Sequence, residues 1–163
     1  MPMIGHFTLL EVADAAFYAG ELFRKTFAAD IPAYPRHFVC LYQVRPGDFR
    51  TAGYVHFSRF ESMHLVGGLV VDKAIYAIAP PGHLAELGAR PSIGEYVMRE
   101  GIAALGDSLA VFAIIGDARS VELNRNVGYV PTHIDQLYAY WQVELSDEVK
   151  RQAAERVIKI APF

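Results

Sequence analysis

Apolar positions along the chain fall either into short continuous runs or into stripes at helical spacing. Ile4 to Glu11 reads as a short apolar strand. Asp14 can cap a helix running to about Phe27, with Ala16, Phe17, Gly20, Phe23 and Phe27 on one face, and Pro32 and Pro35 end it. Three strands follow: His37 to Arg45, Arg50 to Phe60 and Ser62 to Asp72, the first two separated by the turn Pro46-Gly47-Asp48. In the second, Tyr54, His56 and Ser58 alternate with Val55, Phe57 and Arg59. The third is almost wholly apolar, as for a strand covered on both faces. Gly67-Gly68 marks a bulge or a close backbone approach within it.

Lys73 to Pro91 carries Pro80-Pro81, Gly82 and Gly88, and predicts one or two short helices in a long connection. Ser92 to Glu95 has capping-box spacing and opens a helix with Ile93, Val97, Gly101 and Ala104 on one face; Gly106 and Asp107 stop it. Leu109 to Ile115 is a continuous apolar strand. Asp117 caps a helix that Gly128 closes, Tyr129 to Leu145 holds one or two aromatic-rich strands, and Ser146 caps a polar C-terminal helix. Three consecutive strands favour an antiparallel meander, while the strand-helix-strand unit from Ser62 through Ile115 implies a parallel crossover. The expectation is an α/β chain, one domain over residues 1–163, with a mixed sheet covered by helices.

Composition narrows the classes of function. Hydrophobic residues make up 53% and charged residues 20%, which describes a packed globular chain. The formal net charge is −3, with Lys and Arg scattered, and this predicts neither a nucleic-acid partner nor a membrane surface. Cys40 is the single cysteine, so no disulfide framework or multi-thiolate zinc site is expected, and its apolar surroundings read as those of a small buried hydrophobe. MPMIGHFTLL lacks the cationic start of a secretory signal, so the expected location is the cytoplasm.

From Phe38 to Leu145 the element order resembles the GNAT superfamily of acyl-CoA N-acyltransferases. The family's fourth strand is similar to Leu65-Val66-Gly67-Gly68-Leu69-Val70-Val71-Asp72, and its closing helix with a Gly-Phe step is similar to Asp117 through Gly128-Tyr129. The resemblance implies a GNAT-like, mostly antiparallel sheet of six to seven strands with helices on both faces. It also implies acetyl-CoA or another acyl-CoA as cosubstrate. A pyrophosphate needs N–H donors, and a helix N-terminus supplies them with a favourable dipole. The family's loop for it superposes best on Ala89 to Gly94. Arg90, Ser92, Ile93 and Gly94 are therefore the expected pyrophosphate residues, although Ser92 replaces a glycine, Pro91 adds no N–H and Glu95 competes for the positive helix end. Leu69, Val70 and Val71 are expected to offer main-chain groups to the pantetheine amides, and Arg119, with Arg125, to reach the nucleotide phosphates; solvated helix charges are the commoner explanation of these two arginines.

An amine acceptor must lose a proton, which suits a His or Glu near the sheet centre. His64 and Glu61 are the candidate bases, with His56 and His133 further options; a hydrogen-bonded sheet histidine is the bland reading of His64. Counting back four residues from Gly128, where the family carries a Tyr acid, gives Asn124. Tyr129 stands in the place of the family's Phe and reads as core. The histidines show no metal-ligand spacing, so no metal is expected. The function implied is acyl transfer, in particular acetyl transfer, to a primary amine on a small molecule or peptide; the alternative is a non-catalytic GNAT-fold protein binding CoA or another small ligand. A carrier-protein acyl donor would call for a basic docking surface, of which the balanced charge gives little sign. Tyr138, Tyr140 and Trp141 suggest a final strand buried against another element, a homodimer partner being one option.

Overall fold

The computed structural model describes residues 3–33 and 35–163, with backbone only for residues 3 and 4. The chain divides into two compact units, residues 1–56 with 68–104, and residues 57–67 with 105–163. In the first unit the strands are β1 (Met3–Ile4), β2 (Phe7–Val12), β3 (Arg36–Arg45), most of β4 (Asp48–Phe60) and the second part of β5 (Met63–Val71), hydrogen-bonded in that order. The expected first strand is broken by a turn at Gly5-His6, which folds Met3–Ile4 back antiparallel on Phe7–Thr8. Gly5 has φ of +50°, a left-handed conformation that glycine adopts without strain, and any Cβ there would strike the Glu86 carboxylate. β2 and β3 pair antiparallel from Phe7 opposite Tyr42 to Val12 opposite His37.

The helix α1 (Ala15–Phe27) is capped by the Asp14 carboxylate, which accepts the Phe17 N–H. Its buried residues are Ala15, Ala19, Gly20 and Phe23, whereas Phe17 is 79% exposed and Phe27 is also largely exposed. The expected stripe is therefore rotated. Small side chains at 15 and 19 let the helix lie close on Val39, Tyr54 and Val70, and an aromatic at 17 would have held it off. The long connection forms α2 (Ala74–Ile78) and α3 (Pro81–Ala85) and is tied down within its unit. Tyr42 Oη and His83 Nδ1 are 2.9 Å apart, and Glu86 accepts from the His6 backbone N–H at 2.9 Å and pairs with its ring at 2.9 Å. The helix α4 (Ile93–Ala103) covers the opposite face from α1: a Cβ on Gly53, the neighbour of Tyr54, would lie 3.0 Å from Val97.

In the second unit the first part of β5 is followed in hydrogen-bonded order by β6 (Ala110–Ile114), β8 (Leu137–Trp141) and β7 (Val130–Pro131). β5 and β6 are parallel, as a helical crossover requires, and β6–β8 and β7–β8 are antiparallel. The helix α6 (Asp147–Ile158) buries Ala153, Ala154 and Val157 against Met63, Leu65, Ala110, Phe112, Leu137 and Ala139. Strand alternation puts His64, Val111, Ala113 and Tyr140 on the other face. The helix α5 (Ala118–Val127) ends on that face, where Gly128 sits so close that a Cβ would lie 2.9 Å from the Tyr140 ring. Gly128, at φ of +124°, is thus required twice over. The aromatic strand finds its cover inside the chain, Trp141 edge-on to Phe112 and Tyr140 against Tyr129. Among the described residues no helix is long and apolar enough to cross a membrane.

Candidate active site

Two of the sequence-predicted groups meet in the first unit. Gly53, lacking a side chain, lets the first turn of α4 approach the end of β5: the position of a Cβ there lies 3.2 Å from the Val70 carbonyl oxygen and 3.4 Å from the Ile93 side chain. Val70 is buried, and Leu69 and Val71 are half-buried. At the start of α4 the amides are partly committed. Ile93 N–H donates to the Tyr76 hydroxyl at 2.8 Å and Glu95 N–H to Ser92 Oγ at 3.1 Å, while Tyr96 N–H bonds the Ser92 carbonyl at 3.1 Å. Arg90 is exposed on the bend before this turn. Arg119 lies exposed in the first turn of α5, in the other unit.

In the second unit the β5–β6 ladder contains only His64 opposite Val111 and Leu65 opposite Phe112. Val66 and Gly67 continue β5 beyond it, although β6 runs on to Ile114 in pairing with β8. His64 is 3% exposed, and its Nδ1 is 2.9 Å from Ser108 Oγ. Ser108 donates its own proton to the Ala110 carbonyl at 2.9 Å, so its oxygen accepts from His64 Nδ1–H. This fixes the tautomer that keeps the lone pair on Nε2. Glu61 sits at the exposed β4–β5 turn with φ of +54°, its carboxylate 3.2 Å from Arg156 Nε. His133 is on the exposed loop after β7, 3.6 Å from Glu155.

Two buried polar arrangements escaped sequence reasoning. His37, Tyr54 and His56 form a buried chain, with His37 Nδ1 2.7 Å and His56 Nδ1 3.1 Å from the Tyr54 hydroxyl. The hydroxyl has one proton, so it donates to one ring and accepts from the other. The shorter separation suits O–H donation to His37, whose ring also bonds the Ala33 backbone, and the longer suits N–H donation by His56. Burial lowers the basicity of both imidazoles, that of His56 to a pKa of about 4 with His37 adding repulsion, and raises that of the Tyr54 phenol. The alternation of Tyr54 and His56 on β4 was the available signal; the partner on β3 was not in it. The second arrangement is Asn124. It is 6% exposed, its Nδ2 donates to the Ser120 carbonyl at 2.8 Å, and its Oδ1 is buried without a partner. Cys40 is buried among apolar groups that push its thiol up to about 12, which removes it as a nucleophile.

No family model matches the chain, and no curated protein matches its sequence. Solved structures do match in fold. One is the ribosomal-protein-S18-alanine N-acetyltransferase from Escherichia coli, 12% identical over 86% of this chain and 97% of that one, with a TM-score of 0.57. Another is a KacTA-DNA complex, 15% identical over 94% of this chain and 98% of that one, with a TM-score of 0.53. A third is the AtaT toxin, as a mutant, bound to the C-terminus of the antitoxin AtaR, 12% identical over 93% and 98%, with a TM-score of 0.51. This chain has the GNAT fold. The parallel β5–β6 pairing and the closing helix before Gly128-Tyr129 are the parts of that fold expected from the sequence. The GNAT fold overturns one expectation drawn from composition, the absence of a nucleic-acid partner, because a structure of this fold is a complex with DNA. A charge total sums over the whole chain and carries no information on local surfaces or on binding shared with another chain.

Proposed function

We propose that the chain is an acyl-CoA-dependent N-acyltransferase that moves an acetyl group from acetyl-CoA to a primary amine on a small molecule or peptide. The observation that carries this reading is the short β5–β6 ladder. Beyond Leu65 the main chain of β5 is free of that ladder, and the pantetheine amides are matched to main-chain N–H and C=O groups of an unpaired strand side through Val71. The start of α4 beside Val70 supports a pyrophosphate position, with the Gly94 amide and Arg90 as its donors. In the reaction the amine nitrogen forms a bond to the thioester carbon, the C–S bond breaks, and the amine proton passes to a base. His64 is the first candidate for that base, its Nε2 held ready by the Ser108 contact, and Glu61 is the second.

Binding of CoA without turnover is a second reading. The capped Ile93 and Glu95 amides favour it, and so does Asn124 in the place of the family's tyrosine acid. Calorimetric titration with acetyl-CoA, longer acyl-CoAs and free CoA tests both. Micromolar or tighter binding is expected, followed by amine-dependent CoA release. His64→Ala should lower turnover about a hundredfold or more with acetyl-CoA affinity retained; Glu61→Ala examines the other base. A folded protein that binds none of these ligands would sink both readings, and binding with no release across an amine panel would leave the second.

A further inference from the structure

A groove of about 380 Å³ opens on the second unit, between β7 and the start of α6. Its volume is that of a small-molecule pocket, for which about 300–1,000 Å³ is usual. Val130, Pro131 and Trp141 give it an apolar floor, with Val130 46% exposed at the sheet edge. Trp141 pairs with Ala110, which packs under α6, so the groove lies on the α6 side of the sheet and His64 on the other. Thr132 also lines it, but its hydroxyl already donates to the Leu137 carbonyl at 2.8 Å and accepts the Ile134 N–H at 3.1 Å. Recognition in the groove therefore falls to charged side chains.

These fall into two groups. Arg151 donates to Glu148 at 2.9 Å and to Glu155 at 2.6 Å, Gln152 donates to Glu148 at 2.8 Å, and His133 lies 3.6 Å from Glu155. Those side chains complete one another. Asp147 and Lys150 line the groove and stay outside that network. Among the described residues neither side chain has an ion pair or a hydrogen bond, and the half-buried Lys150 ammonium stands 5.6 Å from the centre of the Trp141 ring. Three residues apart on a helix, the two have Cβ atoms about 5–6 Å apart on one face. A ligand with a single charge would satisfy one of them and be repelled by the other. A zwitterion satisfies both, and the floor calls for an apolar side chain. We propose that this groove binds a free α-amino acid with an apolar side chain. Its carboxylate pairs with Lys150, its ammonium with Asp147, and its side chain lies on Val130, Pro131 and Trp141. Such a ligand is itself a primary amine, but here its nitrogen faces Asp147 on the side of the sheet away from His64. The groove is thus a second site, separate from any acyl acceptor, and it does not depend on the acyltransferase reading.

Trp141 is the only tryptophan in the chain, so its fluorescence reports on the groove directly. L-leucine, which does not itself fluoresce, should change that emission saturably with a Kd of about 1 mM or lower. Isopentylamine and isocaproate, which are leucine without its carboxylate and without its ammonium, should each bind about tenfold more weakly. L-leucine should lose about the same factor with Lys150→Met, which keeps the stem over the indole, and with Asp147→Asn. Calorimetry supplies the affinity of Lys150→Met, whose own emission differs because the ammonium has left the ring. Both variants should melt with wild type, since neither side chain has a partner to lose. No saturable change with L-leucine, equal binding of either analogue, or undiminished affinity in either variant overturns the proposal. Failure of acetyl-CoA to bind would leave this site standing, and failure of L-leucine would leave the acyltransferase reading standing.

Discussion

The two units bury polar side chains in opposite ways. In the first, His37, Tyr54 and His56 lie under α1 and satisfy one another through one hydroxyl, with no charge anywhere in the chain of contacts. In the second, Asn124 is nearly as deeply buried and half of its amide has nothing to bond. A closed network of neutral groups rigidifies the surface that it fills and asks for nothing further. An open one is a cost to the isolated fold. The contrast separates polar residues that satisfy one another from one whose pairing is incomplete.

Acid should break the first arrangement with the largest effect. His56 has its pKa lowered to about 4, whereas an unfolded histidine titrates near 6.5. Between these values the unfolded chain binds the proton and the native one does not, so stability is full above about pH 6.5 and falls as the pH drops toward about 4. The loss is about 3 kcal/mol at about 1.4 kcal/mol per pKa unit, with His37, also lowered, acting in the same direction. Urea titrations at pH 7 and pH 5 should show most of this slope before the carboxylates protonate, and His56→Gln should flatten it. A smaller effect, about 2 kcal/mol, is expected for Tyr54→Phe at pH 7, because the ring remains against Phe23 while two imidazole nitrogens lose their shared partner. Equal urea midpoints for wild type and this variant would mean that the network does not act as a unit. The smallest effect sharpens the comparison by its sign. Asn124→Leu should leave stability unchanged or raise it by about 1 kcal/mol, since it removes an unpaired oxygen; a fall of about 2 kcal/mol would show that the amide serves the fold after all.

What could be read from the sequence was whatever depends on neighbours along the chain. All four expected helix caps are in place, Asp14, Ser92, Asp117 and Ser146 each accepting the N–H three residues on. The strand order, the parallel crossover and the close approach at Gly68 follow from runs, turns and one glycine pair; a Cβ on Gly68 would lie 3.0 Å from Phe23 and 3.2 Å from His56. What could not be read depends on which distant group arrives. Helical spacing alone gave a stripe through Phe17, but the choice between neighbouring stripes was made by how closely Ala15 and Ala19 could approach the sheet. The Tyr76 hydroxyl on Ile93 N–H comes from a connection whose path had no periodic signal. Asn124 was marked for the proton that it lacks, and its unpaired oxygen is visible only once every neighbour has a position.

The clasp between His6 and Glu86 joins residues 80 apart in the chain. A ribosome delivers them seconds apart, at roughly 5 to 20 residues per second. The Gly5-His6 turn therefore cannot reach its final form until α3 and Glu86 have left the exit tunnel, whatever the residues around it have done by then. Of this pair, the partner made earlier must wait for the later one before it is fastened.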